Sequence, residues 1–250
     1  MPDVVVVTAS AGTFPGLARA LRALPTMVEE WPLLSFGPPP DWAPVAAAAR
    51  ELARYEAVVF TSPRSAAVFG ERAAAAGPTA REGAGVRSVW AAGAGTARAL
   101  GSAFGPVRLP DERLVGEQGA AAALVSAMTE AGVRGPVLFP CGDLRRDELP
   151  ARLRERGIPV HEVVCYRSVL AGEEEARRAA ARATVLVVAS PSVAALLAHA
   201  CAPAGRPLLV AAGATTADAA RAHGWPPAAV ASAPTTEALT AEIRALLAHG

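Results

Sequence analysis

Short runs of consecutive apolar residues, each only long enough for a strand, recur along this chain. Val4-Val5-Val6-Val7, Ala57-Val58-Val59-Phe60, Val137-Leu138-Phe139, Val185 to Val188 and Leu208 to Ala211 are the clearest. A strand with one face in water alternates apolar and polar residues. A strand apolar at every position is covered on both faces, which in practice means a parallel sheet flanked by helices. Further strands are expected near Val28 to Trp31, Val86 to Ala91, Val107 to Leu109 and Val160 to Val164. Between them lie Ala-, Arg- and Leu-rich stretches that read as helices: Pro15 to Ala23, Pro63 to Ala76, Gly95 to Leu100, Glu117 to Ala131, Arg146 to Arg156, Glu173 to Arg182 and Thr236 to Ala248. Regular strand–helix alternation defines an α/β chain with helices on both faces of a parallel sheet.

The pattern also repeats. Val5-Val6-Val7 aligns with Val137-Leu138-Phe139 at an offset of 132, as do Leu17 to Leu21 with Leu149 to Leu153 and Val28-Glu29-Glu30 with Val160-His161-Glu162. Phe60-Thr61-Ser62-Pro63 aligns with Val188-Ala189-Ser190-Pro191 at 128, and Ala91 to Thr96 with Ala211 to Thr216 at 120. The order is the same in both halves and the offset shrinks smoothly, as a duplicated α/β unit requires. At 250 residues there is room for two such domains. Two stretches can join them: the Pro-rich Pro32 to Pro40, which cannot be helical, and its counterpart Cys165 to Gly172.

Composition narrows the chemistry. The chain has 24 basic and 23 acidic residues, and with no Lys present every basic residue is Arg. A chain without Lys makes no Schiff base and carries no phosphate-binding loop of the G-x-x-x-x-G-K-[ST] kind. A net charge of +1 argues against nucleic acid or an anionic membrane as the main partner. Cys141, Cys165 and Cys201 form no C-x-x-C pair and no metal-type spacing with the histidines, and read as buried reduced thiols of a cytoplasmic protein. No window approaches the ~18 apolar residues of a membrane span, and no basic n-region marks a signal peptide.

Ligands of open α/β sheets bind outside the carboxyl ends of the strands. Those ends read Thr8-Ala9-Ser10, Thr61-Ser62-Pro63-Arg64-Ser65, Gly93-Ala94-Gly95-Thr96, Cys141-Gly142-Asp143, Ser190-Pro191-Ser192 and Gly213-Ala214-Thr215-Thr216. Nearly all place Gly, Ser or Thr at an expected helix start. Ser and Thr there are ordinary N-caps. Several such ends together also suit a ligand with many carboxylates or phosphates, because helix N-termini offer free N–H groups and a positive dipole end. Gly93-Ala94-Gly95 opens like a dinucleotide fingerprint, but the third glycine position holds Arg98. Asp143 and Asp147 read as caps around a helix start, Arg145 and Arg146 as solvated or as partners for substrate carboxylates. His161, His199, His223 and His249 read as structural or solvent-facing. Tyr166, one of two tyrosines, sits in a linker stretch, where it either packs or donates a proton.

Taken in order, Val59 to Pro63, Gly93 to Ala97, Gly142-Asp143 to Leu149 with Gly157 and Tyr166, Ser190-Pro191-Ser192, Gly213 to Thr216 and Pro234 to Leu239 resemble the uroporphyrinogen-III synthase family over essentially the whole chain. The chain departs from the family at Thr8-Ala9-Ser10, where a Thr-Arg-Pro-like turn is usual, and at Leu24-Pro25, where a helix-end glycine is usual. The resemblance implies two flavodoxin- or Rossmann-like parallel-sheet domains joined by two extended linkers, with a cleft between them. Domain 1 is then 1–34 plus 170–250, domain 2 is the inserted 38–164, and the linkers are 35–37 and 165–169. It implies a cyclising hydro-lyase of tetrapyrrole and heme biosynthesis: hydroxymethylbilane loses the hydroxyl of ring A, closes through a spiro intermediate and leaves ring D inverted in uroporphyrinogen III.

No metal or organic cofactor is implied. The expected partner is the linear tetrapyrrole, with no nucleic acid or membrane, in a cytoplasmic monomer that can receive its substrate from hydroxymethylbilane synthase. Tyr166 is the expected proton donor. Thr61, Ser62, Ser65, Gly93, Thr96, Gly142, Ser190, Pro191, Ser192, Gly213, Thr215 and Thr216 are the expected substrate-binding residues. The eight carboxylates of that substrate suit binding by helix N-termini on a nearly neutral protein. A bilobal binding protein for a polyanionic small molecule, without turnover, stands beside this reading. A two-domain glycosyltransferase is a weaker fit, since its Asp-x-Asp metal motif is absent.

Overall fold

The structure, a computed structural model, describes residues 3–76, 86–101 and 104–248. In chain order the elements are β1 (Asp3–Val7), α1 (Leu17–Leu21), β2 (Thr26–Glu30), β3 (Leu34–Gly37), α2 (Ala43–Arg50), β4 (Ala57–Phe60), α3 (Pro63–Ala75), β5 (Ser88–Ala91), α4 (Ala94–Leu100), β6 (Val107–Arg108), α5 (Glu112–Gln118) and α6 (Ala120–Glu130). They continue with β7 (Val137–Gly142), α7 (Glu148–Glu155), β8 (Val160–Leu170), α8 (Glu173–Arg182), β9 (Val185–Val188), α9 (Pro191–Ala200), β10 (Leu208–Ala211), α10 (Ala214–Ala222), β11 (Ala229–Val230) and α11 (Thr236–Ala248). Contacts between residues divide the chain into two compact units. Met1–Ser35 with Val169–Gly250 form unit 1, and Phe36–Ser168 form unit 2.

The sheet of unit 1 has the order β11-β10-β9-β1-β2, and the second sheet β3-β8-β7-β4-β5-β6. The paired strands of the first run parallel, as do those from β8 to β6 in the second. Laying β1 on β7, β2 on β8, β9 on β4, β10 on β5 and β11 on β6 turns one order into the other. The repeat visible in the sequence is therefore a repeat of topology. The chain order differs: unit 2 runs β4 to β8 without interruption, while unit 1 begins with β1 and β2 and is completed by β9, β10 and β11.

The all-apolar strands are explained by helices on both faces. Val6, Leu186 and Leu209 pack under α8 and α9 through Ala176, Ala179, Val193 and Leu197. Val5, Val185, Val187 and Val210 pack on the other face against Leu17, Leu21, Leu239 and Ile243 of α1 and α11. Val5 and Val6 are both 0% exposed, so neither position tolerates a polar residue. Unit 2 repeats the arrangement, with Val58, Phe60, Phe69 and Leu138 in one cluster and Val59, Phe139, Leu124 and Met128 in the other.

Three expectations are corrected. The single helix Glu117 to Ala131 is two helices, α5 and α6, broken at Gly119, whose φ of 87° only glycine adopts without strain. The helix expected from Arg146 begins at Glu148, leaving Gly142 at the end of a strand rather than at a helix start. Strand β8 continues to Leu170 instead of stopping at Val164. His249 lies outside the described residues.

Candidate active site

The candidate site of unit 2 lies where β4, β5 and β7 end. Beyond Phe60 the chain turns through Thr61 and Ser62 into α3. Ser62 has extended φ/ψ, and its Oγ accepts the N–H of Ser65 at 3.1 Å. Pro63 follows at the first helical position, where its missing N–H costs nothing. Ser65 is buried, and its hydroxyl donates to Ser62 O and accepts from Ser62 Oγ, so it is used within the turn.

Strand β7 ends differently. Cys141 pairs with Val164, the next pair is Gly142 with Tyr166, and Cys165 is the extra residue of a bulge in β8. Bulges re-aim side chains next to functional sites. Here the Tyr166 ring lies directly over Gly142: a Cβ built on that glycine meets Tyr166 Cζ at 2.6 Å and Oη at 2.8 Å. Glycine at 142 is therefore the condition for this ring position. Tyr166 Oη lies 3.5 Å from Ser62 Oγ. Phe36 meets the tyrosine edge-on with centroids 5.6 Å apart, and the Arg64 guanidinium stacks 3.7 Å from the Phe36 centroid.

Several of these residues border a cavity of about 410 Å³, within the ~300–1,000 Å³ usual for small-molecule sites. Thr61, Ser62, Gly142 and Tyr166 line it, with Ala92 and Cys141. Gly119, Ala120 and Ala121, at the break between α5 and α6, form another wall. Leu144, 68% exposed, and Arg145 and Arg146 lie along the loop from β7 to α7, with Glu148 at the first position of α7. Arg145 is ion-paired to Glu162, which also takes Arg154. Burial pushes the Glu162 carboxyl up, but the hydrogen bonds from both arginines outweigh it and hold its pKa below the usual carboxylate range. Arg146 carries no ion pair among the described residues, so it is the cavity's available cation. Burial pushes the Cys141 thiol up to about 12, which removes a thiolate nucleophile from this wall at neutral pH.

The cavity thus brings together four of the expected residues, Thr61, Ser62, Gly142 and Tyr166. Gly93 precedes α4 beside Ala92, and Thr96 is buried within α4. Neither lines the cavity. Ser190, Pro191 and Ser192 open α9 in unit 1, with the two hydroxyls 2.8 Å apart. Gly213 precedes α10, where Thr215 is exposed and Thr216 buried. The wall at Gly119 was not anticipated, although a glycine between two Ala-rich stretches is itself a break signal. Asp143 does not cap a helix; its carboxylate accepts the N–H groups of Leu144 and Ser168.

Parallel α/β units with a cavity of mixed apolar and polar lining outside the carboxyl ends of the strands fit a candidate small-molecule site of the α/β class. The sequence matches the family described as uroporphyrinogen-III synthase HemD over residues 16–241. The chain belongs to the uroporphyrinogen-III synthase family and is thus an enzyme of tetrapyrrole biosynthesis, a lyase that cyclises hydroxymethylbilane. A mutant uroporphyrinogen III synthase from the extremely thermophilic bacterium Thermus thermophilus has the same fold, with a TM-score of 0.68 at 19% identity over 99% of this chain and 100% of that one. Uroporphyrinogen-III synthetase from Helicobacter pylori superposes with a TM-score of 0.64 at 18% identity, over 100% of both chains. No curated protein matches the chain. Among the described residues, no helix is long and apolar enough to cross a membrane.

Proposed function

We propose that the reaction of this chain uses the unit 2 cavity, with Tyr166 as the proton donor. The hydroxyl of ring A departs as water as it takes a proton from Tyr166 Oη, and the ring A methylene bonds to the substituted carbon of ring D to give the spiro intermediate. The bond from that carbon to the bridge between rings C and D then breaks and re-forms at the free α-carbon of ring D, and the proton lost there restores the one that Tyr166 gave. Holding the chain folded for that closure is the larger share of the work, since proximity lowers the barrier without an acid–base pair. The observation that carries the reading is the bulge that stations the Tyr166 ring over Gly142 at the cavity wall. Thr61 and Ser62, at the start of the 13-residue α3, and the unpaired Arg146 offer hydrogen bonds and charge to substrate carboxylates.

Gly93, beside the cavity-lining Ala92, completes the unit 2 set, with Ser65 as a support for Ser62 and the buried Thr96 as a support for the start of α4. In this proposal Ser190, Ser192, Gly213 and Thr215 serve the same purpose from unit 1, with Pro191 and the buried Thr216 fixing the helix starts that present them. In this reading the domains are 1–34 with 170–250 and 38–164, joined by 35–37 and 165–169. The chain acts as a cytoplasmic monomer taking its substrate from the enzyme that makes the bilane.

The test is a coupled assay in which porphobilinogen and its deaminase generate the bilane in place. The oxidised type I and type III isomers are separated by chromatography. The wild-type chain shifts the product to type III, and Tyr166→Phe slows the shift without abolishing it. A Tyr166→Phe variant with the full rate returns the residue to a packing role.

A further inference from the structure

We infer that Asp143 is the positioning residue for Tyr166, an inference that rests on the proposed role of that tyrosine. Past the bulge at Cys165 the regular ladder between β7 and β8 ends, yet β8 runs on for five residues to Leu170. Two bonds from one residue take the ladder's place. Asp143 N–H donates to Tyr166 O at 3.1 Å, and Asp143 Oδ1 accepts Ser168 N–H at 2.9 Å. The same oxygen accepts Leu144 N–H at 2.9 Å, which fixes the carboxylate. Asp143 therefore grips the backbone just past the Tyr166 Cα, one residue along the chain from the glycine that the ring covers. Ser168 is also the last residue of unit 2, so the grip falls where β8 leaves that unit. β8 stays paired with β3 on its other edge, but on the β7 side the bulge leaves the local twist, and with it the aim of the side chains, unset. The clip fixes that twist and sets where the phenol hydroxyl stands.

The contact that depends on the side chain is an acceptor to a backbone N–H. Asn keeps it and Ala loses it, so the two substitutions separate geometry from mere bulk. Asp143→Ala is expected to lower kcat roughly tenfold with little change in KM, because about an ångström of misplacement at a reacting group is enough for such a loss. Asp143→Asn is expected to recover the rate to within about threefold. In a Tyr166→Phe background, Asp143→Ala costs little more, as two changes on one path are not additive.

A second readout is independent of turnover. The chain has only two tyrosines, so 3-fluorotyrosine labelling gives two ¹⁹F resonances, and Tyr166→Phe assigns them. Asp143→Ala shifts or broadens the Tyr166 signal and leaves that of Tyr55 in place, while Asp143→Asn moves neither. An unmoved Tyr166 signal in a folded Asp143→Ala protein overturns the inference. So does an equal loss of rate from Asp143→Ala with and without the tyrosine hydroxyl. A Tyr166→Phe variant at full rate, alongside a moved signal, overturns the catalytic reading of Tyr166 and leaves Asp143 a structural clip.

Discussion

Adding one carbon at Gly142 is the sharpest probe of the site. Its Cβ would lie 2.6 Å from Tyr166 Cζ, 2.7 Å from Cε2 and 2.8 Å from Oη. Carbon atoms in contact settle at about 3.5–4.0 Å, so the ring has to withdraw by about 1 Å. The obstructing atoms are the far end of one side chain rather than backbone, so the fold yields at modest cost. Overpacking of this kind costs about 1 kcal/mol at the low end of its range, or a fall of about 2–4 °C in Tm for a chain of this size. The catalytic cost is larger. A misplacement of about 1 Å is worth up to about 100-fold, or about 2.7 kcal/mol of barrier. Gly142→Ala is thus expected to melt nearly as the wild type does and to form type III product one to two orders of magnitude more slowly in the coupled assay. The same change in a Tyr166→Phe background is expected to cost less than about threefold, because the hydroxyl it displaces is already gone. A Gly142→Ala enzyme with the full rate, or one that loses the same factor with and without the hydroxyl, refutes the reasoning.

Two further outcomes follow from the electrostatics. Burial pushes the thiols of Cys141 and Cys165 up to about 12, so iodoacetamide at neutral pH is expected to modify at most the half-buried Cys201 of the native protein, and all three cysteines after unfolding. Mass spectrometry of intact protein reads this, and rapid alkylation of Cys141 while the fold holds contradicts it. Glu162 is held below the usual carboxylate range by Arg145 and Arg154. A lowered carboxylate pKa contributes stability that is present above the unfolded value of ~4.3 and is lost as pH falls through the folded value. Glu162→Gln is therefore expected to lower Tm at pH 6, with the gap closing towards pH 3, and a gap independent of pH sinks the assignment.

What the sequence disclosed follows the physics of burial. β4, β9 and β10 match their expected limits residue for residue, because strands covered on both faces carry no polar position to blur the pattern. α8 and α11 match as well. α2 went unseen because its Ala43-Pro44 start follows a Pro-rich stretch that reads as extended chain. The two-residue β11 is held by pairing with β10 rather than by its own pattern. At the site, hydroxyls and glycines after strands were legible as types. Their gathering was not, since it depends on a bulge at Cys165, which an apolar run passing into Tyr166 does not announce. Asp143 reads as a cap, because its true partner, Ser168 N–H, lies 25 residues away and on another strand.

The permuted order of unit 1 sets a timetable for synthesis. β1 sits between β9 and β2 in its sheet, and its partner β9 begins 180 residues after Val5, at Val185. All of Phe36–Ser168 is translated between the two parts of unit 1. At about 5–20 residues per second, the valines of β1 wait many seconds outside the ribosome with one edge of their strand unpaired. Unit 2 is contiguous in the chain, and its central pair, β4 with β7, is only 80 residues apart, from Ala57 to Val137. The nascent chain thus carries a sticky four-valine segment beside a unit able to finish folding, and that interval is when chaperones have the most to shield.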